Sequence, residues 1–280
     1  MIRSLKSLSI VSTIGMVFVL LGGALVTKTG SGDGCADSFP LCHGQLIPTD
    51  ITPELIIEYS HRLVSGIVGI SVIAVAILVW KLYGHIREVK FLAIASVFFL
   101  LFQAFLGAAA VMWGQSDFVL AAHFGVSLIS FATVFILMLI IFEIDRKLDT
   151  STLFIKRKHR IEIYLLTIYT ICVVYTGALV RHTNSNLICP DWPFCSNKEP
   201  FAFMQYDMYQ WIQMGHRLAA GILFIWTISF FIKVAKHYRD ETIMFRGWLI
   251  ASILISLQVL FGALIIFTVL DVGVSLMHSL

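Results

Sequence analysis

The chain is 280 residues long, 58% of them hydrophobic and only 13% charged, with a mean hydropathy of +0.88; soluble domains carry roughly 45–50% apolar and about 25% charged residues. These values exclude an ordinary soluble domain and define an integral membrane protein. At about 20 apolar residues per span the length allows seven or eight crossings and leaves no room for a separate soluble domain. A net charge of +3 gives no reason to expect a nucleic-acid partner, whereas membrane lipids are expected.

In chain order, apolar runs predict helices near 8–27, 63–82, 91–113, 118–142, 161–181, 213–234 and 247–269. The first follows Arg3 and Lys6, but its apolar stretch is long and no small-residue cleavage site follows, so a retained helix is expected rather than a signal peptide. An eighth run starts near Gly273 and has only a few residues before Leu280, so the last helix is expected to be truncated or short. Arg3, Lys6, Lys81, Arg87, Lys90, Arg146, Lys147, Lys156, Arg157, Lys158, Arg160, Lys233, Lys236, Arg239 and Arg246 fall at the N-terminus and in alternate loops. The positive-inside bias then puts both ends of an eight-span chain in the cytoplasm, and the 28–62 and 182–212 connections outside.

The first half of the chain recurs in the second. Gly-Ala-Leu-Val at 23–26 returns at 177–180, and Cys35 and Cys42 return as Cys189 and Cys195. His61-Arg62-Leu63 returns as His216-Arg217-Leu218, Gln103 and Gly107 as Gln258 and Gly262, and His123 as His278. An even number of helices per repeat gives both halves the same orientation about an axis near the membrane normal. The expected fold is all-α: two tandem four-helix bundles over 1–150 and 151–280, a setting in which facing side chains hold cofactors.

Nine histidines divide by position. His85, His159 and His237 fall in basic loops and are expected to be solvated; His43 and His182, near the outer loops, are expected at the surface or at a cofactor edge. His61, His123, His216 and His278 each stand at the outer end of an apolar helix, and ionisable groups at membrane depth usually face a bundle interior. Within each half the topology places one pair at similar depth, and two neutral imidazoles can supply both axial ligands of a haem iron. Zinc would more often recruit further Cys, Asp or Glu ligands, so haem is preferred. Arg62 and Arg217 follow the first histidine of each pair and are candidates for bidentate contact with a haem propionate or a lipid phosphate.

Cys35/Cys42 and Cys189/Cys195 can each close as a disulfide in an oxidising exterior, in a structural or a redox-active role. Cys172, inside the fifth helix, is expected as a small buried hydrophobe. The halves differ three residues before the first histidine, where Glu58 stands in one and Gln213 in the other. At that spacing the carboxylate shares a helix face with His61 and could move protons or stabilise a cation, which Gln cannot.

Glu58-Tyr59-Ser60-His61-Arg62, His216-Arg217, His123, His278 and the cysteine pairs together resemble the bacterial haem A synthases, over essentially the whole chain. The cysteine pairs point to the Gram-positive type. The resemblance implies oxidation of the C8 methyl of haem O to the formyl of haem A for terminal cytochrome oxidases. It further implies a haem b cofactor on His216 and His278, substrate haem O at His61 and His123, an essential carboxylate at Glu58, and delivery of substrate by haem O synthase. Alternatives are a diheme b-type electron carrier, poorly served by four candidate ligands on one side, and a quinone-linked disulfide oxidoreductase, which leaves the histidines unexplained.

Overall fold

The computed structural model describes residues 2–36, 38–49, 51–114, 116–142 and 154–279. Among them are eight α-helices: α1 (Ile2–Thr29), α2 (Pro53–Tyr83), α3 (Arg87–Met112), α4 (Asp117–Ile141), α5 (Arg157–His182), α6 (Met208–His237), α7 (Thr242–Phe267) and α8 (Val272–Ser279). The first seven are long and apolar enough to cross a membrane. The protein is therefore all-α and multi-pass, as the composition predicts; only an isolated bridge between Cys42 and Gln45 has β geometry among the described residues.

Helix starts depart from the hydropathy reading. α2 begins at Pro53 rather than 63, and α6 at Met208 rather than 213. Both starts are set by capping. The Thr52 hydroxyl accepts the Leu55 amide at 3.2 Å ahead of Pro53 and Glu54, and Asp207 and Gln210 form a reciprocal capping box; such caps contribute about 1 kcal/mol each. Several bases assigned to loops lie in helices. Lys233 is in α6, where it meets Glu162 of α5 at 2.6 Å. Arg146, Lys147 and the expected domain boundary at 150/151 lie outside the described residues.

The chain divides into two compact units, one containing α1–α4 and the other α5–α8. In the first, α1 and α3 each pack against α2 and α4. One apolar cluster joins Met16, Val19, Val68, Val72, Leu100 and Val134, and another joins Leu5, Val75, Val79, Val89, Leu137 and Ile141. Close approach is made by small residues, as lipid-embedded helices require: Ser12 and Ser71 share a hydrogen bond of 2.7 Å between α1 and α2, and Gly15 leaves space for Val68. In the second unit Leu166 and Val173 of α5 pack with Leu223, Phe230 and Val234 of α6 and Met244 of α7. Large apolar side chains such as Ile67, Ile70 and Ile225 are exposed, which suits helices whose solvent is hydrocarbon.

Candidate functional site

His61 lies in the third turn of α2 and His123 in the second turn of α4, and the two rings are within electrostatic range of each other. His216 of α6 and His278 of α8 stand in the same relation in the second unit. Thus the structure brings together, within each unit, the two histidines that the repeat pairs. Short as it is, α8 is anchored at both ends. The Asp271 carboxylate accepts the Val274 amide at 3.0 Å, and Arg181 of α5 donates to the Ser279 hydroxyl at 3.0 Å.

Each ring rests on a glycine of a neighbouring helix. A Cβ at Gly22 would lie 3.0 Å from His61 Nδ1, and one at Gly107 would lie 3.0 Å from His123 Cε1. The corresponding distances are 2.8 Å from Gly177 to His216 Cε1 and 3.1 Å from Gly262 to His278 Cε1. Gly107, Gly177 and Gly262, together with Gly23 beside Gly22, at 3.3 Å from His61 Cε1, are landmarks by which the repeat is recognised, and their role as ring seats was missed from sequence because nothing local in a glycine says what lies above it. His216 Nδ1 also meets the Thr176 hydroxyl at 3.0 Å, whereas Nδ1 of His61, His123 and His278 is buried without a hydrogen-bond partner.

Glu58 is buried, and both its oxygens are used: Oε2 accepts the Cys35 amide at 2.8 Å, and Oε1 pairs with Arg62. Arg62 also donates to the carbonyls of Ser38 at 2.6 Å and Leu41 at 3.1 Å. Gln213 reproduces half of this arrangement, its carboxamide oxygen accepting the Cys189 amide at 2.7 Å while its NH2 donates to the Asn186 carbonyl at 2.6 Å. Arg217 donates to the carbonyls of Asp191 at 2.6 Å, Phe194 at 3.0 Å and Cys189 at 3.1 Å. Both guanidiniums that the sequence marks for a propionate or a lipid phosphate are thus engaged as fasteners of the cysteine loops.

Both cysteine pairs are closed as disulfides. Cys35, Cys42 and Cys189 are 0% exposed and Cys195 is 3% exposed, so the sulfurs are out of reach of an attacking thiol, and Cys35–Cys42 packs on Leu55 and Tyr59. Cys172, expected to be buried, is exposed on α5: in a membrane-spanning helix an apolar residue can face lipid as readily as protein. His159, expected to be solvated, is partly buried and hydrogen-bonds the Tyr238 hydroxyl at 2.8 Å. His85 and His237 are exposed as expected; His43 is exposed and meets the Gly34 carbonyl at 3.1 Å, and His182 is partly buried.

The arrangement fits a haem better than a small metal ion. Among the described residues no third His, Cys, Asp or Glu joins either imidazole pair, so each pair would supply two imidazole nitrogens to a haem iron and falls short of a tetrahedral cage.

These features define a class: a multi-pass α-helical membrane protein carrying helix-borne histidine pairs beneath disulfide-closed loops. A family model described as cytochrome oxidase assembly protein matches residues 6–280, and the chain belongs to that family. It is 58% identical over 280 residues to a protein named Heme A synthase from Oceanobacillus iheyensis, covering 100% of this chain and 91% of that protein. It is 53% identical over 278 residues to the Heme A synthase of Lysinibacillus sphaericus, covering 99% and 90% respectively. The Heme A synthase of Geobacillus kaustophilus is 53% identical over 277 residues, covering 99% and 86%.

Proposed function

We propose that this chain performs the haem A synthase reaction, oxidising the C8 methyl of haem O to the formyl of haem A for terminal cytochrome oxidases. The observation that carries this reading is full-length similarity to proteins of that name in a chain that pairs four histidines two by two. In this reading His61 and His123 receive substrate haem O, and His216 and His278 hold a resident haem b. A bound haem supplies the redox-active iron, and the protein supplies orientation and charge.

The chain's own contributions follow from the geometry. The glycine seats fix the imidazole planes. Glu58, one turn from His61 on α2, sets an Arg62-paired carboxylate beside the histidines, where it can take up a proton or stabilise developing positive charge. Arg62 and the Cys35 amide hold that carboxylate in place. The second unit carries neutral Gln213 at the matching position, which suits a site that binds without reacting. We place the cysteine-bearing end on the outer side of a bacterial cell membrane, where disulfides persist, with haem O delivered by haem O synthase and electrons exchanged with a donor not yet identified.

The test is extraction of haems from membranes of a host that makes haem O but not haem A, expressing this chain. Appearance of haem A is the expected result; accumulation of haem O alone contradicts the reading.

A further inference from the structure

The two units differ at one position behind the first histidine of each pair. Gly22-Gly23 of α1 corresponds to Thr176-Gly177 of α5, so Thr176 stands where the first unit has no side chain. The Thr176 hydroxyl lies 2.8 Å from the Val173 carbonyl and 3.0 Å from His216 Nδ1. With Nε2 of His216 given to an iron, its proton would sit on Nδ1 and be donated to Thr176, whose own proton goes to Val173. In the first unit Gly22 occupies the matching place, 3.0 Å being the separation a Cβ there would have from His61 Nδ1, and that nitrogen is buried without a partner. The second histidines do not differ in this way. The carbonyls of Gln103, Gln258 and Val173 face His123, His278 and His216 alike, and among these rings only His216 also meets a side-chain hydroxyl.

We propose that Thr176 is a positioning residue that locks His216 as a permanent axial ligand, and that Gly22 leaves His61 unlocked so that its haem can be released. A group donating its second ring nitrogen to a fixed acceptor is held in one tautomer and one orientation, and losing such a partner typically weakens metal binding about 10- to 100-fold. The pair that must keep a cofactor has this support; the pair that must exchange substrate for product lacks it. This assignment rests on the haem reading of the two pairs and specifies how the protein distinguishes a resident haem from a passing one.

The test uses full-length protein in detergent, in a His61→Ala background so that only the second pair is read. Transfer of haem b to excess apomyoglobin and the haem midpoint potential are measured for Thr176→Val and Thr176→Ser. Thr176→Val is expected to lose haem about tenfold faster or more with a shifted potential, and Thr176→Ser, which keeps the hydroxyl, to restore both. In a His216→Ala background, haem O added to the first pair is expected to transfer about tenfold faster or more than haem b leaves the second pair. Haem-loaded parent protein in which Thr176→Val changes neither release rate nor potential overturns this assignment alone. A parent that binds no haem overturns the reading beneath it as well.

Discussion

The backbone amide of Cys35 donates to the carboxylate of Glu58 at 2.8 Å, tying the disulfide loop to the helix that carries His61. Gln213 receives the amide of Cys189 at 2.7 Å. The two side chains therefore perform one structural task and differ in charge.

Glu58→Gln keeps an acceptor for the loop amide, as the Gln213 half demonstrates, while removing the charge that pairs with Arg62. The variant is expected to keep its disulfide and its haem while haem A formation falls about a hundredfold or more, the scale of a lost acid–base group. Chromatography of extracted haems measures this; undiminished haem A would remove Glu58 from the chemistry.

Arg62→Ala leaves a buried carboxylate without its counter-charge. Breaking such a pair from one side costs about 3 kcal/mol or more, so the thermal transition of the detergent-solubilised protein is expected to fall sharply. Adding Glu58→Gln should recover much of the loss, because the stranded charge is then gone. The recovery should be incomplete, since Arg62 also holds the Ser38 and Leu41 carbonyls. A double variant no more stable than Arg62→Ala would show that the ion pair is not what Arg62 contributes.

Replacing Cys35 and Cys42 together by Ser opens a short loop, a loss of about 2–3 kcal/mol by chain entropy, and releases the amide that fixes Glu58. Lower melting temperature and lower haem A yield should appear together. Native protein should resist thiol reduction and alkylation until it is unfolded, given the burial of all four sulfurs; rapid reduction of the folded protein would support an exchange role for the bridges.

Gly177→Ala separates fold from function. Alanine favours the helix by about 1 kcal/mol, yet its Cβ would lie 2.8 Å from His216 Cε1 and displace the ring. Measured on haem-free protein, to exclude stabilisation by the ligand, the variant should melt close to its parent while taking up less haem. Gly262→Ala, with 3.1 Å to His278, should be the milder change. Equal haem-to-protein ratios in parent and both variants would refute the ring-seat role.

The spans were readable in advance because hydrocarbon imposes long apolar runs. The start of α2 was not, because Glu54, Glu58 and Arg62 break the apolar run and only the Thr52 cap sets the start at Pro53. The histidine pairs were readable through the repeat, which carries long-range information that local patterns lack. Cys172 misled because composition does not distinguish a face against lipid from one against protein. The partners of Arg62 and Arg217 are backbone carbonyls, and carbonyls leave no trace in side-chain identity. Thr176 is not legible locally, because its meaning lies in a ring forty residues away on the next helix.

Haem content of the purified full-length protein tests the central claim most directly. The account predicts a b-type absorption spectrum that His216→Ala and His278→Ala each abolish and that His61→Ala and His123→Ala leave in place. Retention of the full spectrum by both second-unit variants, or folded parent protein that neither carries haem nor takes it up, would contradict it.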